Sequence, residues 1–283
     1  MAASLQASSV DHCSELVRAA DKDRFLASLF VPAGTRGALH ALYAFDIEIA
    51  AVAARVREPL AGEVRLQWWR DVLEGRRTEE ARANPVADAL LRTGSEHRLP
   101  LELLVEAIDA RAFDLYREPM RSLDELETYA RRTDGAIFAG AARVLGADAE
   151  PALDHAALHA GAARTIAGVL RALPQHAARG QLYLPLDLLA RHAVPPETVT
   201  ARQPSPGLLA ALDELRDAAR QHHDAAVRLL GELPAQTRAA FLPLALVPLQ
   251  LDAVRASDPF APAEPPQWRK QWRLWRTARN WRR

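Results

Sequence analysis

The stretch Leu101–Tyr116 reads LELLVEAIDARAFDLY, and its spacing decides the fold class. Apolar side chains fall at Leu101, Leu104, Val105, Ile108, Ala112 and Leu115, close to the i, i+3, i+4, i+7 repeat of one helix face. A half-buried strand would alternate every second residue, and this segment does not. The period returns at Leu208, Leu212, Leu215, Ala219, Ala226 and Leu230. Boundary signals agree with it. Asn84-Pro85 supplies an N-cap and a first-turn proline. Ser122 with Glu125 forms a capping box ahead of Leu126 and Tyr129, while Gly75, Gly94, Gly146 and Gly231 read as stops.

Composition points the same way. Alanine, leucine and arginine are good helix formers and dominate the chain, whereas isoleucine occurs only at 47, 49, 108, 137 and 166, a thin supply for a large sheet. The one strand-like piece, Gln181–Leu184, meets Pro185 and is expected to be an extended connection. Prolines cluster in Ala193–Gly207 and in Ser257–Pro266. The expected organisation is all-α: one helical domain over residues 1–256, a Pro-rich linker at 257–266 and a C-terminal helix at 267–283.

Several function classes fall away. With 49% apolar residues in 283, the chain is not of a disordered type. Cys13 has no second cysteine to pair with, so a reducing compartment is the default. Met1–Leu16 carries Asp11, His12 and Glu15 and lacks an apolar secretory core. The longest apolar run, Ala239–Leu249, is interrupted by Pro243 and Pro248 and is well short of the ~20 residues a spanning helix needs; a buried, kinked helix is expected. The 36 basic and 36 acidic residues cancel, which argues against a nucleic-acid partner. A cytoplasmic location follows as the expectation.

No local metal motif is present: there is no HExxH, no Gly-rich phosphate loop and no Cys/His zinc spacing. His222 and His223 are adjacent, point to different helix faces and are expected at the surface. Asp46 and Glu48 are two apart, and Asp109 and Asp114 five, neither of them a shared face. Asp213 and Asp217 have the right spacing but sit among Arg216 and Arg220, as on an ordinary solvated face. Spacing therefore predicts neither metal nor cofactor.

Five fragments in order carry a resemblance: FVPAGTRGALHALYAF (Phe30–Phe45), LQWWRDVL (Leu66–Leu73), IDARAFDL (Ile108–Leu115), LDELETY (Leu123–Tyr129) and RGQLYLP (Arg179–Pro185). Over roughly residues 20 to 255 the chain resembles the squalene/phytoene synthase family. The resemblance implies a single helical fold around a deep central cavity. In active members, two aspartate-rich motifs on facing helices hold Mg²⁺ for the head-to-head condensation of two prenyl diphosphates. Here the first motif falls on Ala50, Ala51 and Ala54, and the second on Ala172 and His176. The asparagine just upstream becomes Gly168, Arg171 is retained, and nothing acidic lies between Ala156 and Gln181. Only Asp46 and Glu48, one turn earlier, could stand in for the first motif.

The stretch DIEIA (Asp46–Ala50) beside a retained LQWWRD is similar to a divergent branch that includes a mitochondrial complex I assembly factor and its bacterial relatives. The implied function is non-catalytic: assistance to assembly of a membrane complex such as respiratory complex I. The alternatives are a prenyltransferase with a rearranged, Mg²⁺-dependent site, and a prenyl-lipid binder that turns nothing over. The candidates for the cavity or a vestigial site are Arg36, Tyr43, Asp46, Glu48, Asp109, Asp114, Phe138, Arg171 and Tyr183.

The tail, QWRKQWRLWRTARNWRR (Gln267–Arg283), holds seven cations and no acid, leaving 29 basic against 36 acidic residues in 1–266. Trp268, Trp272 and Trp275 form one stripe, and Trp281 falls away from it. Two readings stand open. Either the stripe docks on the core, or Trp268, Lys270, Trp272 and Trp275 meet an anionic membrane at its inner face.

Overall fold

Asn84 and Ser122 act as the sequence predicts. The Asn84 side chain accepts from the amides of Val86 and Ala87, and Ser122 Oγ accepts from the amide of Glu125. The box at Ser122 is modified, because the Glu125 carboxylate takes the amide of Arg121 and the Arg121 side chain. The computed structural model describes residues 2–254, 258–261 and 264–281, with residues 2–7 as backbone only. No strand occurs among the described residues.

The helices that position the site are α1 (Ala2–Ala20), α2 (Lys22–Ser28), α3 (Ala33–Ala50), α4 (Pro59–Leu73), α5 (Pro85–His97) and α6 (Leu101–Arg111). Leu123–Ala130, Arg131–Gly135 and Ala136–Val144 follow as one continuous helix, α7, whose middle five residues adopt π geometry. After it come α8 (Pro151–Arg171), α9 (Pro206–Leu229), α10 (Val247–Ala253) and α11 (Gln267–Trp281).

The long apolar face of α8 lies at the centre, packed on α7 and α9, while α1 packs on α3 and α5. Phe45, Ile108, Ile137, Leu153 and Phe241 are fully buried between these layers. Gln181–Leu184 is extended, as expected, and ties to the chain before α7 through the Met120 amide and the Leu182 carbonyl.

Three local expectations are corrected. Gly94 does not stop its helix; α5 runs on to His97 and ends at Arg98, itself left-handed at φ 51°. The apolar run after Ala239 is buried, but Ala239–Leu246 is a 3₁₀ segment and only α10 is α-helical. Pro243 and Pro248 remove donors from an α ladder, which explains the tighter winding. His222 is not a surface histidine: its Nδ1 lies 2.8 Å from His159 Nδ1 and its Nε2 3.1 Å from the Glu127 carboxylate.

The C-terminal helix does not hang free. α11 packs on Ala239–Leu246 and on α2, burying Lys270, Leu274 and Ala278, which are four residues apart. The linker between body and tail is described only at 258–261 and 264–266, and the expected boundary at residue 256 lies outside the described residues.

Candidate functional site

The close crossing of α7 and α8 builds the floor of a deep pocket. Gly161 on α8 meets the bulged segment of α7 so tightly that a Cβ there would lie 2.5 Å from the Gly135 nitrogen. That contact is possible only without a side chain. It sets Asp134, in the π turn, against the next turn of α8: Arg164 Nε donates to Asp134 at 3.0 Å and Thr165 Oγ1 at 3.0 Å. On α8, Arg164, Gly168 and Arg171 follow i, i+4, i+7 and share the face that looks into the pocket.

The pocket holds about 1030 Å³. Its wall includes Ala50, Ala54, Gly168, Ala172 and His176, the positions where the sequence resemblance puts the metal motifs. Arg171, Asp114 and Tyr183 also line it. Other sequence candidates lie elsewhere. Phe138 is buried in the core with its ring stacked on Phe241, 5.3 Å between centroids. Tyr43 is buried under the Arg24 guanidinium. Arg36 donates to the carbonyls of Val31 and Leu29, Glu48 pairs with Arg55, and Asp109 pairs with Arg70. Asp46 and Glu48 thus serve different partners, and Glu48 gives no second carboxylate to a site.

Asp21, Asp114 and Asp134 line the same pocket, and with the buried Asp46 they form a layer of carboxylates whose oxygens are all engaged. Arg24, on α2, donates to Asp46 from one nitrogen and to Asp134 from another, the latter at 2.8 Å. Arg111 donates to the other Asp46 oxygen at 3.3 Å and to Tyr129 Oη at 2.7 Å. Asp114 accepts from Tyr129 at 2.9 Å and from Tyr183 at 2.7 Å. Asp21 accepts from Arg164 at 3.0 Å and caps α2 through the amide of Arg24.

Burial by itself would raise the Asp46 carboxyl, but the guanidinium groups of Arg24 and Arg111 outweigh it and hold the group well below the usual carboxylate range. Asp21 is lowered in the same way, against its burial, by Arg164 and Arg24. For Tyr183, burial and then the Asp114 charge keep the phenol protonated. The layer is therefore a closed lattice of fixed anions, cations and hydroxyl donors.

This arrangement does not fit magnesium. Mg²⁺ needs several hard oxygens with free lone pairs, converging in an octahedron. The wall offers methyl groups and one imidazole at the motif positions, and the nearby carboxylates are already committed to arginine and tyrosine. Among the described residues, no group of three or more His, Cys, Asp or Glu is placed to hold a metal.

Sequence reasoning missed Arg24, Arg111, Asp134 and Arg164. Only the Arg164–Gly168–Arg171 spacing carried a local signal for one of them.

The tail departs from expectation at one residue. Lys270 is not at the surface: it is only 3% exposed, with Nζ donating to Asp23 at 3.1 Å and pairing with Glu264. Leu274 and Ala278 share its seated face, so the tryptophans turn away. Trp268, Trp272 and Trp275 are 65%, 52% and 50% exposed, each with an arginine over its ring.

Comparison with known proteins gives the following likenesses. The sequence model of the squalene/phytoene synthase family matches residues 17–276. The rat protein named NADH dehydrogenase (ubiquinone) complex I, assembly factor 6 (Rattus norvegicus) is 34% identical over 231 residues, 82% of this chain and 69% of its own. Phytoene synthase 1, chloroplastic, of Arabidopsis thaliana is 25% identical over 268 residues, 90% of this chain and 62% of its own. A crystal structure of a dehydrosqualene synthase in complex with ligand superposes with a TM-score of 0.84 at 17% identity, covering 98% of this chain and 97% of the other. That likeness shows the fold.

Proposed function

Since the chain belongs to the squalene/phytoene synthase family, we propose that it is a non-catalytic member that assists assembly of a membrane complex, respiratory complex I. One observation carries the reading: at the positions of both metal motifs the pocket presents Ala50, Ala54, Ala172 and His176, and the carboxylates around it are paired with arginine and tyrosine. Departure of a diphosphate builds negative charge that Mg²⁺ takes up in active members of the family, and the described residues of this wall do not fit that ion. The kinship with a protein named as a complex I assembly factor gives the direction of the alternative role.

We place the protein at the inner face of the membrane as a peripheral protein. No helix among the described residues is long and apolar enough to cross a bilayer. The exposed face of α11 combines three tryptophans with Arg269, Arg276 and Arg279, a pairing suited to an anionic lipid surface.

Removing the protein from its host tests the assembly role. The expected result is a severalfold loss of assembled complex I and of its NADH oxidation, restored by the intact chain. Unchanged complex I level and activity would overturn the reading. The membrane face is tested by sedimentation with vesicles containing anionic lipid: W268S/W272S/W275S is expected to lose most of the binding and to unfold as the parent does. Equal binding by parent and variant contradicts that role for α11.

A further inference from the structure

The disagreement with magnesium has a positive side. The wall of the pocket carries eight cationic side chains against five carboxylates. Three of the cations are consumed internally: Arg111 and Arg164 by the aspartate layer, and Lys270 by Asp23 and Glu264. Arg171 keeps only a 3.5 Å contact with the half-exposed Glu264. The side chains of Lys22, Arg57, Arg117 and Arg179 make neither hydrogen bond nor ion pair among the described residues. They come from four separate segments, the first residue of α2, the chain before α4, the chain after α6 and the chain before Gln181, and all four line the one pocket.

The same wall holds orphaned polar atoms. Arg111 Nε and His176 Nδ1 are buried without a partner. Both nitrogens belong to side chains that line the pocket.

We infer that this pocket binds a phosphate-bearing polyanion directly, without a divalent cation, through Lys22, Arg57, Arg117, Arg171 and Arg179. The sign of the site is thereby inverted: carboxylates plus metal are replaced by guanidinium groups of the chain itself. Guanidinium forks match phosphate oxygens two at a time, and several converging cations suit the multiple charge of a diphosphate better than that of a single carboxylate. The methyl groups of Ala50, Ala54 and Ala172 leave the space where the anion would sit. This inference stands apart from the assembly role, and neither depends on the other.

Calorimetry of the full chain with inorganic diphosphate in EDTA tests it, with vesicles bearing phosphatidic acid as a second arm. The vesicle arm uses the W268S/W272S/W275S chain, so that α11 does not report. The variant R57Q/R117Q/R179Q changes only exposed side chains and is checked for an unchanged unfolding midpoint. Metal-free binding that falls at least tenfold in the variant supports the site. Binding in the first arm identifies a free anion as ligand, and binding in the second a lipid headgroup. No binding in either arm, binding that requires Mg²⁺, or equal affinity in the variant overturns it.

Discussion

Arg24 reaches Asp46 on α3 and Asp134 in the π turn of α7 with one guanidinium, and it is buried while doing so. Removing one partner of a buried ion pair typically costs about 3–5 kcal/mol, because the remaining charge is stranded. Arg24→Met leaves Asp46 with Arg111 alone and Asp134 with Arg164 and Thr165, so urea unfolding is expected to show a loss at the lower part of that range. A loss below about 1 kcal/mol would mean that the aspartate layer is solvated. His176 gives a second prediction. Burial, and then the Arg179 charge, push its ring down to about 4. The unfolded ring takes up its proton near 6.5, so between those values the unfolded chain binds more protons than the folded one. Stability is therefore complete above pH ~6.5 and falls as the pH drops towards 4, by no more than about 3 kcal/mol for this residue once its partial exposure is discounted. His40 and His159 are lowered too, both chiefly by burial, and add in the same direction. Unfolding at pH 7 and pH 5 is expected to show the difference, and His176→Gln to reduce it.

At the scale of elements, the crossing of α7 and α8 is the joint that makes the floor. A Cβ at Gly161 would meet backbone atoms, Gly135 N at 2.5 Å and Ala130 O at 2.9 Å, and neither can step aside as a flexible side chain would. Overpacking of this kind costs about 1–3 kcal/mol. Gly161→Ala is expected at or above that range in denaturant, with Arg164 and Thr165 pulled away from Asp134. Gly168→Ala, which meets nothing within 4 Å, is the matched control and is expected to fall within about 1 kcal/mol of the parent. The helices themselves were legible in the sequence because their signals are local: a 3.6-residue period, an asparagine cap, a serine cap. The seat of α11 was not. Its tryptophans advertised a docking stripe, yet Lys270, Leu274 and Ala278 form the buried face. Lys270 could be buried only because Asp23, 247 residues away in the chain, waits for it.

At the scale of the molecule, the neutral total hides an uneven distribution, with cations collected in the tail and around one pocket while the body is acidic overall. The positions that the resemblance assigns to the metal motifs could be counted from the five fragments, and of these Ala50, Ala54, Ala172 and His176 share one wall while Ala51 is not part of it. That the remaining aspartates are neutralised was not readable, because partners such as Arg24 and Asp134 are 110 residues apart. Charge pairing of that kind belongs to the fold rather than to any segment. The proposed non-catalytic role requires that this pocket perform no metal-dependent prenyl transfer. Incubating the purified chain with farnesyl or geranylgeranyl diphosphate and Mg²⁺, and following released diphosphate, tests it most directly. No release above a protein-free control is predicted; sustained release, abolished when Asp46 is changed to asparagine, would contradict it.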